Sequence, residues 1–133
     1  MTPTATTTVT RPTALRRTGS VVRWALQAGL AVQFAVGGAL KLIGDAQMVD
    51  LFADIGAGQW LRYLVGVCEL AGALGLLVPR LTAAAVLGLT ALMTGAVITN
   101  LLIGISPALP AAFLLTAAVI AHIRRAELRR FVR

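Results

Sequence analysis

From Leu81 to Ile105 the chain reads LTAAAVLGLTALMTGAVITNLLIGI, a run without a charged side chain. As a helix, about 25 residues at 1.5 Å each reach about 38 Å, enough to cross a hydrocarbon core of roughly 30 Å. Three further apolar segments flank it. One runs from about Val22 to Ile43, and a second runs from about Leu61 to Val78 and stops at Pro79-Arg80, a pair that ends helices. The last, from about Pro107 to Ile123, opens after Ser106-Pro107, which suits a cap and a first-turn proline. None alternates polar with apolar residues, as barrel strands would.

Composition agrees. Of 133 residues 58% are hydrophobic and 13% charged, whereas a soluble domain carries about a quarter charged. A single cysteine, Cys68, excludes a disulfide scaffold. The expected fold is all-α: an integral membrane four-helix bundle.

A net charge of +7 would suggest nucleic acid if it covered a soluble surface. Its placement points to topology instead, so no nucleic acid partner is expected. Arg11, Arg16, Arg17, Arg23, Arg80, Arg124, Arg125, Arg129, Arg130 and Arg133 share one side of a four-span arrangement. Only Lys41 and Arg62 lie on the other, beside Asp45, Asp50 and Asp54. By the positive-inside rule both termini are cytoplasmic in an inner or plasma membrane, and residues 44–60 face outward. The organisation expected is a disordered cytoplasmic tail over residues 1–20, a four-span membrane domain over 21–123 and a basic cytoplasmic tail over 124–133. The first apolar run is too long for a cleaved signal peptide and continues into Lys41-Leu42-Ile43-Gly44, so it is read as a retained anchor.

Between the first two spans Met48, Leu51, Phe52 and Ile55 recur with helical period, which predicts a short amphipathic helix at the outer interface. Asp45 can cap it, and Gly56 or Gly58 can end it. Trp60 and Tyr63 suit interfacial anchors.

Polar residues within the spans carry the functional expectation. Glu69 lies about eight residues into its span, near the midplane, where a carboxylate is costly and faces the bundle interior. Gln33, Gly37 and Lys41 follow at steps of four on the first span, and Asn100 lies near the outer end of the third. The candidate cluster is therefore Glu69, Lys41, Gln33 and Asn100. Paired with Lys41, Glu69 is an ion-pair partner; unpaired, it is neutral. Such a cluster serves as a proton relay, as a site for a polar head group such as a quinone carbonyl, or as an interhelical hydrogen bond that fixes which helices touch. Gly37, Gly66, Gly72, Gly88 and Gly95 are read as helix-packing positions. No catalytic constellation, phosphate loop or metal-ligand spacing is present, so neither a metal nor a resident cofactor is expected.

Phe34-Ala-Val-Gly-Gly-Ala-Leu-Lys-Leu-Ile-Gly44, Met48 through Phe52 to Gly56, Trp60-Leu-Arg-Tyr-Leu-Val-Gly66, Glu69-Leu-Ala-Gly-Ala-Leu-Gly-Leu-Leu-Val-Pro79, and Met93 with Ala96 follow in order. This series resembles the DoxX family, in its DoxX-like branch, over roughly Trp24 to Ile123. The resemblance implies four helical spans and carries over Lys41 and Glu69 as pattern positions, with Gly37, Gly66 and Gly72 as packing positions. It also implies an association with quinone-linked redox chemistry or oxidative-stress responses.

Three functions stay open. One is a non-catalytic or redox-associated membrane subunit near the quinone pool, not a stand-alone catalyst, surrounded by membrane lipid and working with an oxidoreductase or as a homo-oligomer. Another is a small proton-coupled transporter using Glu69. The third is a structural or assembly protein.

Overall fold

The computed structural model describes residues 13–133, with side chains from residue 17 onward. Arg11 and residues 1–12 of the expected tail lie outside the described residues, as does the side chain of Arg16. The described chain forms six helices and no strand: α1 Thr13–Ile43, α2 Ala46–Ile55, α3 Gln59–Leu77, α4 Thr82–Leu102, α5 Ala108–Ile123 and α6 Arg125–Val132.

Four long helices make a closed ring of contacts, with α1 against α3, α3 against α4, α4 against α5 and α5 against α1. Their inward stripes supply one core of Leu30, Ala31, Phe34, Ala73, Leu76, Val86, Leu89, Met93, Ala117 and Ile120. The rings of Phe34 and Phe113 meet with centroids 5.5 Å apart. The outward faces are equally apolar. Val32, Val36, Leu64, Val67, Leu74, Leu101, Leu115 and Val119 are all exposed. Helices that are hydrophobic all round while exposing one side are made for lipid.

α1, α3 and α4 are each long and apolar enough to cross a membrane. α5 covers the expected fourth segment but has 16 residues, about 24 Å at 1.5 Å per residue. It qualifies only together with α6, from which it is bent by 84°.

Sequence signals explain the boundaries. Gly44 turns with φ 77°, and Asp45 caps α2 by accepting from the Gln47 N–H at 3.2 Å. Gly56 ends α2 in the left-handed conformation with φ 76°, a backbone state that only glycine enters without strain. Phe52 is the buried residue of α2, which lies mainly against α3. At the opposite end of the ring, Pro79 cannot continue α3, and Thr82 donates its hydroxyl to the Val78 carbonyl at 3.1 Å to close the turn into α4. Ser106 Oγ accepts from the Ala108 N–H at the start of α5.

The tails carry more helix than the sequence announces. Helix α1 begins at Thr13, so residues 13–20, expected in a disordered tail, continue the first helix backward; a helix already nucleated in the span extends at little further cost. The C-terminal residues expected as a basic tail form α6, whose Leu128, Phe131 and Val132 follow helical spacing among the arginines.

Candidate functional site

The α1–α3 seam carries the polar chemistry of the chain. These helices run antiparallel and meet in a simple register. Gln27, Phe34 and Lys41 follow at seven-residue steps on α1, and Leu76, Glu69 and Arg62 follow at seven-residue steps on α3. Seven residues complete about two turns, so each set holds one face. Both ends of this register are fastened: Arg62 donates from its guanidinium to the Lys41 carbonyl, and Gln27 donates from Nε2 to the Leu76 carbonyl.

At the centre, Lys41 Nζ donates to Glu69 Oε2 at 2.9 Å. Helical side chains lean toward the N-terminus of their own helix, so on antiparallel neighbours the lysine stem and the carboxylate lean toward each other. Their side chains keep 14% and 6% of their exposure.

Glycines make the space. A Cβ on Gly38 would stand 2.8 Å from the Gly66 carbonyl oxygen, and one on Gly66 would stand 3.1 Å from the Gly38 carbonyl oxygen. The two backbones therefore touch, and any side chain at Gly38 would push the helices apart. One position earlier, a Cβ on Gly37 would lie 3.3 Å from Glu69 Oε2, so the carboxylate occupies volume that a larger residue would take. Farther along α3, a Cβ on Gly72 would meet the Leu89 side chain at 2.5 Å, which fits close α3–α4 packing.

Arg62 closes the Gly44 end of the seam. It is 4% exposed, donates from Nε to Gln59 Oε1 at 2.7 Å, and lies 4.3 Å above the Tyr63 ring. By bonding the Lys41 carbonyl it satisfies one of the acceptors that the end of α1 leaves open. Tyr63 is half-exposed and Trp60 is exposed beside it.

Of the four expected cluster members, the structure brings Lys41 and Glu69 together and places Gln33 and Asn100 elsewhere. Gln33 is exposed on α1, lining a shallow groove with Phe113 and Thr116 on the α5 side. Two steps of four residues drift by about 80° around a helix, so Gln33 and Lys41 do not share a face as closely as Phe34 and Lys41 do. Asn100 donates from Nδ2 to the Ser106 carbonyl at 3.1 Å and fastens the α4–α5 turn. Gly88 and Gly95 also differ from expectation. Nothing lies within 4 Å of a Cβ built on either, because the small-residue stripe of α4 that holds them faces outward.

Sequence reasoning passed over Gln27 and Arg62 as seam residues. Both carry a signal in retrospect, the seven-residue spacing to Lys41 and to Glu69. Cys68, beside Glu69 in sequence, is exposed and lies about 100° farther around α3.

Among the described residues, no three His, Cys, Asp or Glu side chains gather to hold a metal. A groove of about 460 Å³ runs along the outside of α3 and α4 between Cys68, Gly72, Gly75, Ala84 and Gly88. It borders neither Lys41 nor Glu69. A quinone head group at the pair would compete with the hydrogen bond that the ammonium gives the carboxylate.

A ring of outward-apolar helices, three of them long and apolar enough to cross a membrane, with an ion pair buried in the α1–α3 seam, has the character of a helical membrane protein. The chain belongs to the DoxX-like family, whose model matches residues 25–122. No curated protein and no solved structure matches it.

Proposed function

We propose that this protein is a non-catalytic integral membrane subunit of four spans, placed in the cell membrane with both termini cytoplasmic, that works beside an oxidoreductase of the quinone pool. The redox chemistry resides in the partner. The observation that carries this reading is the Lys41–Glu69 pair at 2.9 Å, held between glycine-lined helix backbones. A charge pair buried between two helices and bonded to each other serves to fix helix register. The bias of basic residues toward the Arg80 end supports the orientation, and the family resemblance supports the link to redox complexes. The exposed small-residue face of α4 at Gly88 and Gly95 offers close approach to a partner helix.

Transport is the weaker reading. The ring interior is filled by Phe34, Leu76, Leu89, Met93 and Ile120, and Gln27 and Thr82, buried polar side chains toward the Arg80 end, carry no titratable group. Gentle detergent extraction of the tagged full chain is expected to retain a flavin- or haem-containing oxidoreductase, while the purified chain alone reduces no quinone. Glu69→Gln is expected to lower chain abundance and partner recovery together. Proton-driven solute uptake into vesicles that Glu69→Gln abolishes would replace this reading with transport.

A further inference from the structure

At the opposite end of the molecule from Arg62, two arginines close a second seam. The contact of Phe34 with Phe113 marks where α1 and α5 face each other. From Phe34 back to Arg23, and from Phe113 on to Arg124, is about three turns in each case and returns to nearly the same face. Burial follows those stripes. Gln27, Leu30 and Phe34 are buried on α1, and Ala117, Ile120 and Arg124 on the α5 side. Because α1 and α5 run in opposite directions, Arg23 and Arg124 end the same seam at the same level.

Neither guanidinium is fully satisfied. Arg23 Nε, Arg124 Nε and the Gln27 Oε1 one turn deeper are all buried without a hydrogen-bond partner. Arg124 is only 8% exposed, covered by the 84° bend into α6. Its NH1 donates to Glu127 Oε2 at 2.8 Å, and Glu127 itself is half-exposed. Glu127 is also the single side-chain carboxylate at this end, since Asp45, Asp50 and Asp54 lie around α2 and Glu69 pairs with Lys41. Against it stand Arg23, Arg80, Arg124, Arg125, Arg129 and Arg130. Two arginines at one end of a seam, each with a buried Nε that lacks an acceptor, can share a counter-anion, and a phosphate, with several acceptor oxygens, suits two guanidinium forks.

We infer that Arg23 and Arg124 together hold a phosphate group, that of an anionic phospholipid head group, between α1 and the α5–α6 bend. The lipid source follows from the position: the site ends a seam between spanning helices, and α6 turns away beside it with Leu128, Phe131 and Val132 among its arginines, as helices at a bilayer surface do. This assignment is independent of the Lys41–Glu69 reading beyond their shared membrane placement.

The test uses the full chain in a neutral maltoside detergent, with bound lipid counted by native mass spectrometry during titration with dioleoyl-phosphatidylglycerol or dioleoyl-phosphatidylcholine. The anionic lipid is expected to bind at least about tenfold more tightly. Arg23→Gln and Arg124→Gln should each reduce that preference about fivefold, while the double change Arg129→Gln with Arg130→Gln, on the exposed face of α6, leaves most of it. Should the glutamine variants not fold, Arg23→Lys and Arg124→Lys keep the charge and remove the fork; a loss of about threefold in each is expected. Equal binding of both lipids overturns the assignment, as does an equal loss from the α6 pair or an unchanged preference in both lysine variants. Inorganic phosphate separates the sources. No displacement of the lipid by about 10 mM phosphate assigns the arginines to a head group, and displacement below about 1 mM assigns the same arginines to free phosphate. Glu69→Gln retains the preference, so failure here and failure of the proposed function are distinguishable.

Discussion

Lys41 and Glu69 show how much a pair of residues depends on its surroundings. A carboxylate and an ammonium, each costly in an apolar interior, are tolerable together because each supplies the other's missing partner. Removing one leaves an uncompensated charge. Lys41→Met alone and Glu69→Gln alone are therefore each expected to destabilise the folded chain by about 3 kcal/mol, and the double change by less than the sum. Denaturant unfolding in mixed micelles measures this cycle, and additive losses would mean that the pair contributes nothing as a pair. The presence of an acid in the second span was legible from the sequence, and so was a lysine within reach. Gln33 was the misleading residue, because a four-residue step suggests a shared face while the true contact stripe advances by sevens through Gln27 and Phe34. Asn100 misled differently, since a terminal polar residue has a nearer acceptor in its own turn.

At the scale of the helix, glycine alone does not announce a contact. Gly38 touches the Gly66 carbonyl, whereas Gly88 faces open space on α4. Gly38→Ala is expected to cost about 1–3 kcal/mol by forcing α1 from α3 and to loosen the ion pair with it. Gly88→Ala is expected to leave stability unchanged or to raise it by up to about 1 kcal/mol, because alanine favours the helical backbone. The same unfolding assay separates them, and equal effects would contradict the packing described. The short helix was more legible. Met48, Leu51, Phe52 and Ile55 set its period, Asp45 its start and Gly56 its end, all through local backbone chemistry. Helix α6 was not legible as structure, because five arginines in its neighbourhood read as solvated charge before its apolar positions are placed on a helix.

For the whole molecule, the distribution of basic residues predicts orientation. In a Cys68→Ala background, Ala57→Cys is expected to react with a membrane-impermeant maleimide added to intact spheroplasts, and Arg129→Cys to react only after permeabilisation. The reverse pattern would invert the topology, and labelling of both from outside would contradict an even number of crossings. The bend between α5 and α6 belongs to this scale as well. At 16 residues α5 is short for a span; in a bilayer, hydrophobic mismatch would be met by local thinning or by α6 taking up part of the interface.

Chain order alone determined that this protein is helical, that its long helices are apolar on their outer as well as their inner faces, and where most of them start and stop. Those properties follow from the composition of each segment and from caps, prolines and glycines acting on their own neighbours. Which faces meet was decided only by tertiary structure. Facing depends on rotation and register between helices, and in segments apolar on every side periodicity gives little guidance. Packing selected Gly38 over Gly88 and placed Arg62 over the end of α1. It also brought two distant arginines to the end of one seam.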